Sequence, residues 1–150
     1  MQLSAAGLAL LKQSEGFRGS RYFDVAGIPT IGYGHRLLPG ESYPNGITEA
    51  EATVMLSRDV AISEGAVARM ARVPLTQGQF DALVDFVFNL GQGRLANSTL
   101  LKDLNAGQSD AAALQLLQWD HAGAKECAAL KTRREAEYQL WTGHAPEKGK

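Results

Sequence analysis

The sequence has little with which to cross-link itself, bind a metal or cross a membrane. Its single cysteine, Cys127, excludes an internal disulfide. Cys127 lies in the apolar neighbourhood Cys-Ala-Ala-Leu and reads as a buried structural thiol. No nucleophile elbow or paired base stands near it. The three histidines, His35, His121 and His144, are dispersed without ligand spacing, so no metal is expected. The amino-terminal stretch MQLSAAGLALLKQSEGF is too short to span a bilayer and has no basic leader or cleavage-site pattern. It reads as a helix of the folded domain, and no stable membrane association is expected. Aromatic residues make up 7% of the chain and the formal net charge is -1. That leaves no basic stripe with interleaved aromatics, so nucleic acid is not an expected partner.

What is present is the composition of an ordinary globular protein, 45% hydrophobic and 21% charged. At 150 residues the chain suffices for one domain, or for two small lobes sharing a core. The charge is uneven. Residues 1–36 carry four Lys/Arg against two acids, and residues 125–150 carry six against four, while the middle is acidic. If the ends meet they make a mildly basic surface for an anionic polymer; otherwise these are scattered solvated charges.

Ser4 is placed to cap a first helix that Gly16 ends. Over residues 17–46 the signals change to short strands and turns: Gly19-Ser20, Ala26-Gly27, Pro39-Gly40 and Pro44-Asn45-Gly46. Thr48-Glu49-Ala50-Glu51 fits a capping box that opens a long helix over 48–72, stopped by Pro74. Thr76-Gln77-Gly78-Gln79 repeats the box before an apolar helix that Gly91 ends. Ser98 caps a short helix to Ala106. Another runs from Ser109 to Trp119, and the last from Leu130 to Trp141, ended by Gly143. The tail, 143–150, reads as flexible. The fold class expected is α+β. A small β-containing lobe (17–46) is joined by a long helix (48–72) to a mainly helical larger lobe (74–142 plus the first helix). A single domain with a ligand cleft between its lobes follows.

The chemistry concentrates in SEGFRGSRYFDVAGIPTIGYGH. Glu15 sits in the last turn of its helix, where the negative end of the macrodipole favours the protonated acid that a general acid must be. A nearby arginine would act the other way. Asp24 precedes a turn. In the strand that follows, Thr30, Gly32 and Gly34 face one way and Ile31, Tyr33 and His35 the other. One face therefore offers a hydroxyl and two positions without a side chain, on which a flat sugar chain could lie. Asp24 and Thr30 flank the same turn and could hold one water. Two carboxylates with a held water are the parts of inverting glycoside hydrolysis. The plainer reading is an exposed helix-end charge, a turn-forming aspartate and a strand threonine.

These residues resemble the phage-type lysozymes of glycoside hydrolase family 24, endolysins that cut peptidoglycan. The pattern is Glu15, eight residues, Asp24, five residues, then Thr30-Ile31-Gly32-Tyr33-Gly34-His35. The resemblance continues through NGITEAEA at 45–52, QFDALVDFVFNLG at 79–91, STLLKDLNAG at 98–107 and the segment from Trp119 to Glu137. It implies a lysozyme-like fold and hydrolysis of the β-1,4 bond between N-acetylmuramic acid and N-acetylglucosamine, by inversion and without a cofactor. Glu15 would then be the general acid, Asp24 would position or activate the water, and Thr30 would hold it. His35 closes the motif and either braces the site or is a core histidine. Asn89 either contacts sugar or caps its helix. Arg134, or else Lys131 or Arg133, matches a basic position that pairs with the catalytic glutamate. The implied partners are peptidoglycan glycan strands, acted on by a monomer. The implied route is accumulation in the host bacterial cytoplasm, release through a holin pore, and action in the periplasm. In AGAKECAAL, alanines stand where a glycine-richer loop belongs in that family. Two other readings are a peptidoglycan-binding relative without turnover, which would not need all of Glu15, Asp24 and Thr30, and a hydrolase of another amino-sugar polymer such as chitin.

Overall fold

In the computed structural model, which describes residues 1–147, the chain forms two compact units. One is Leu11–Ile62; the other joins Met1–Leu10 to the chain from Ser63 onward. Helices α1 (Ala5–Glu15) and α2 (Glu49–Met70) each begin in one unit and end in the other.

The Leu11–Ile62 unit contains a three-stranded antiparallel sheet of β1 (Arg18–Phe23), β2 (Pro29–Gly32) and β3 (His35–Arg36), in that order. Gly16 takes a left-handed φ of 72° and donates its N–H to Lys12 O at 2.9 Å, which closes α1. The box at the start of α2 is formed as expected. Glu51 N donates to Thr48 Oγ1 at 3.1 Å, and Thr48 N to Glu51 Oε1 at 3.2 Å. Leu11, Ile31, Ala52, Leu56 and Val60 make the buried core.

The single alternating strand expected through His35 is not found. The chain reverses at Gly32, Tyr33 and Gly34, and Ile31 pairs with His35 across the resulting hairpin. Gly32 and Gly34 both have left-handed φ, 70° and 73°, which a side-chain-bearing residue resists. The two glycines therefore turn the chain rather than line a flat strand face.

In the other unit, α3 (Gln77–Leu90) carries the second box, with Gln79 N donating to Thr76 Oγ1 at 3.1 Å. It packs along α7 (Ala128–Thr142) so closely that a methyl on Gly78 would lie 1.9 Å from Leu140 O. Between them run α4 (Gln92–Ala96), α5 (Thr99–Asn105, capped by Ser98) and α6 (Ser109–Leu116). A hairpin of β4 (His121–Ala122) and β5 (Lys125–Glu126) follows. Neither α4 nor this hairpin is legible as an expectation. The hairpin forms where the alanine-containing loop stands, turning at Gly123, whose φ is 66°. Helix α7 starts two residues earlier than the apolar pattern suggests and ends at left-handed Gly143. Cys127, the residue before α7, is half-buried rather than buried. Of the tail expected to be flexible, residues 148–150 lie outside the described residues.

Candidate active site

Six of the eight candidate residues, Glu15, Asp24, Thr30, Gly32, Gly34 and His35, fall in the Leu11–Ile62 unit. Asp24 is built into the β1–β2 turn. Its Oδ1 accepts from Ala26 N at 2.8 Å and from Ile28 N at 2.9 Å, while its backbone N–H donates to Ile28 O at 3.0 Å. An aspartate that collects the turn's own N–H groups is a strong local organiser. Its Oδ2 accepts from Arg36 Nε at 3.1 Å. The Ile28 N–H, opposed by burial and helped by Ala26 and Arg36, holds the Asp24 acid below its ordinary range, so it is ionised at neutral pH.

Thr30, 2% exposed, donates its hydroxyl proton to Ile28 O at 2.8 Å. Asp24 and Thr30 thus grip the same residue, one at its N–H and the other at its carbonyl. With its proton committed, the Thr30 oxygen is left as an acceptor.

Glu15 ends α1 beside the hairpin turn: a methyl on Gly34 would lie 2.9 Å from Glu15 Oε1. A side chain there would drive into the carboxylate, and the left-handed φ already excludes most residues. A methyl on Gly32 would sit 3.2 Å from both Ala52 Cβ and Ile47 Cδ1, so that glycine lets the hairpin close on the start of α2.

His35 is 7% exposed, with Nδ1 2.7 Å from Asp59 Oδ2 and Nε2 2.8 Å from Glu41 Oε1. Burial opposes its charge, but the bonds to Glu41 and Asp59 outweigh it and raise its pKa above 6.5. Glu41 also accepts from Leu38 N at 2.7 Å and from Tyr43 Oη at 2.9 Å. Led by the His35 bond, these contacts lower the Glu41 pKa from 4.5 to about 2. Both ring nitrogens are engaged, so the imidazole pins β3 to α2 and to the 38–43 loop. Glu41, Asp59 and Arg36 all support this site, and no spacing in the sequence marks them. Their partners arrive from other elements only on folding.

The model of the phage lysozyme family matches residues 12–137. This chain belongs to the phage lysozyme family. It is 41% identical over 144 residues to an endolysin of Salmonella phage P22, covering 94% of this chain and 98% of that one. It is 37% identical over 132 residues to a SAR-endolysin of Bacteriophage PS119, covering 85% and 77%. Among solved structures, the muramidase domain of SpmX from Asticaccaulis excentricus superimposes with a TM-score of 0.85 at 33% identity, covering 94% of this chain and 97% of that one. The fold of this lysozyme is therefore the α+β lysozyme-like class that the motifs imply.

The two remaining candidates lie in the other unit of the lysozyme and meet each other there. Arg134 Nη2 donates to Asn89 Oδ1 at 2.8 Å and to Glu137 Oε2 at 2.9 Å, and Nε lies 2.8 Å from Glu137 Oε1. Arg134 and Glu137 are fully buried, and the Arg134 guanidinium stands 5.2 Å over the Phe86 ring. Arg133 grips Asp85 with two bonds of 2.9 Å, and Lys131 lies 3.6 Å from Glu126 on the surface. Complete burial, then Asp85, raises Glu137 well above the carboxylate range. Burial resists the charge on Asp85, but the Glu137 bond and Arg133 hold its pKa down. Asn89 does not cap α3, whose end is closed by Gly91 N–H donating to Val87 O at 2.7 Å. Among the described residues, no group of three or more His, Cys, Asp or Glu stands ready to hold a metal ion.

Proposed function

We propose that this peptidoglycan-lytic lysozyme hydrolyses the β-1,4 bond between N-acetylmuramic acid and N-acetylglucosamine by inversion, with Glu15 as general acid, Asp24 orienting the attacking water and Thr30 holding it. What supports this most is the shared grip on Ile28. It makes Asp24 an ionised acceptor and the Thr30 oxygen a second acceptor, both emerging from one rigid turn. A water that donates one proton to each presents its lone pair outward as the nucleophile. In the proposed step, Glu15 gives its proton to the departing glycosidic oxygen as the C1–O bond breaks. The water oxygen attacks C1 from the opposite face, and Asp24 receives the proton that water sheds. The positive charge that develops on the sugar ring is met by the Asp24 carboxylate.

His35 serves by holding the hairpin, Gly32 and Gly34 by shaping it, and Asn89 and Arg134 by fixing α3 to α7. The two units act as one catalytic domain in a monomer. The route we propose is accumulation in the host bacterial cytoplasm, then release through a holin pore to periplasmic peptidoglycan. Among the described residues no helix is long and apolar enough to cross a membrane. Lysis timing in cells expressing this chain with and without a holin tests the route.

The function is tested by reducing-end release from purified peptidoglycan, with mass analysis of the products. New N-acetylmuramic acid ends of α configuration, absent with Glu15→Gln, are expected. β-configured ends would refute inversion. Chitin cleavage without peptidoglycan cleavage would refute the substrate.

A further inference from the structure

Tyr33 occupies the hairpin turn next to Gly34, and the polypeptide on both sides of Glu15 rests on its ring. Three residues before Glu15, the Lys12 ammonium sits 5.6 Å from the ring centroid; two residues after it, the Phe17 ring packs at 5.7 Å, tilted by 49°. The Tyr33 hydroxyl donates to Glu49 Oε1 at 2.6 Å, a short bond of the charge-assisted kind. The same Glu49 oxygen accepts from Lys12 Nζ at 3.2 Å and from Thr53 Oγ1 at 3.2 Å. Tyr33 is only 7% exposed, whereas the Glu49 side chain is 55% exposed and that of Lys12 29%.

These contacts link the last turn of α1, the hairpin turn and the first turn of α2 through one aromatic side chain. We propose that Tyr33 is a positioning residue: its ring, clamped between Lys12 and Phe17, sets where the Glu15 carboxyl points. The inference rests on the reading of Glu15 as the general acid. A catalytic carboxyl at a helix end sits where fraying is easiest, because the last carbonyls lack helical partners. The Glu15 carboxylate already lies against Gly34, so the register between hairpin and helix decides its aim. The ring carries most of this role. The Glu49–Lys12 pair is open to water and contributes little by itself, while the ring is buried and rigid.

The test measures kcat and KM by reducing-end release from soluble peptidoglycan strands, for Tyr33→Leu, Tyr33→Phe and Val60→Ala. Val60 is a buried α2 residue of the same unit, so its truncation supplies a thermally weakened control with none of these contacts removed. Misaiming a reacting group by about 1 Å can cost on the order of 100-fold. Tyr33→Leu should therefore lose roughly 10–100-fold in kcat with KM within about twofold. Tyr33→Phe, which keeps the ring, should lose about threefold. Val60→Ala should keep native kcat at a comparable thermal midpoint. A Tyr33→Leu protein with the kcat of Val60→Ala, or one altered in KM alone, overturns the proposal. If Tyr33→Leu does not fold by circular dichroism, Phe17→Leu takes its place: it removes the ring packed on Tyr33 from a 41% exposed position, and native kcat in it overturns the proposal. Glu15→Gln separates the two levels of failure. If Glu15→Gln turns over normally, the acid assignment is what fails. If it is dead while Tyr33→Leu matches the control, only the positioning role fails.

Discussion

Replacing Glu41 by glutamine should weaken the protein only within a limited pH window. Glu41 takes His35 Nε2, the Leu38 N–H and the Tyr43 hydroxyl, and its pKa falls from 4.5 to about 2. At about 1.36 kcal/mol per unit, that depression corresponds to roughly 3 kcal/mol of stability near neutral pH. The side chain is 24% exposed, so solvent screening reduces the expected loss to about 2 kcal/mol. A loss of that size lowers the midpoint of a 150-residue protein by about 4–8 °C. The sign follows from the direction of each shift. Glu41 is depressed, so its contribution is complete above 4.5 and fades as pH falls toward about 2. His35 is raised, so its contribution is complete below 6.5 and fades as pH rises through its folded value. The gap between native protein and Glu41→Gln should be widest near pH 5.5 and less than half as large at about pH 3. It should shrink again in alkali, where the imidazole is neutral. Thermal melts by circular dichroism across this range read it directly. A gap that stays constant from acid to alkali would refute the ionic argument and leave packing as the cause.

Glu15→Gln should lower turnover by roughly 100-fold to 10,000-fold with an unchanged circular dichroism spectrum, because the amide matches the shape but cannot act as the acid. Asp24→Asn should keep the turn, since its amide oxygen still accepts from Ala26 and Ile28, yet lose activity by at least about 100-fold; near-native reducing-end release would sink the assigned role. Arg134→Met leaves Asn89 Oδ1 and the buried Glu137 oxygens without their donor and should destabilise the chain by about 1–3 kcal/mol in urea titration. Gly78→Ala forces a methyl onto the Leu140 carbonyl and should cost about 2–3 kcal/mol, with a normal midpoint counting against the α3–α7 packing described.

Local chemistry carried much of this protein. Two capping boxes, the Ser98 cap and the terminating glycines Gly16, Gly91 and Gly143 all operate over a few residues, so they are legible before any fold is known. The trio Glu15, Asp24 and Thr30 can be proposed for the same reason, since its members lie within sixteen residues of chain. Tertiary structure decided what depends on partners far apart in sequence. Asp59 reaches His35 from 24 residues away, Glu49 meets Lys12 across 37, and Arg133 finds Asp85 across 48. Ionisation belongs to this second class. A carboxyl's pKa depends on who donates to it and how much water remains, and both are set only when separate elements pack together. The short hairpin at His121–Glu126 escaped for a simpler reason: two-residue strands have no periodicity to read, and their strand residues are exposed, with no apolar face to mark them. The sequence by itself determined the capping boxes and terminating glycines and offered the trio as candidates, while folding decided which charges meet and which donors hold each carboxylate.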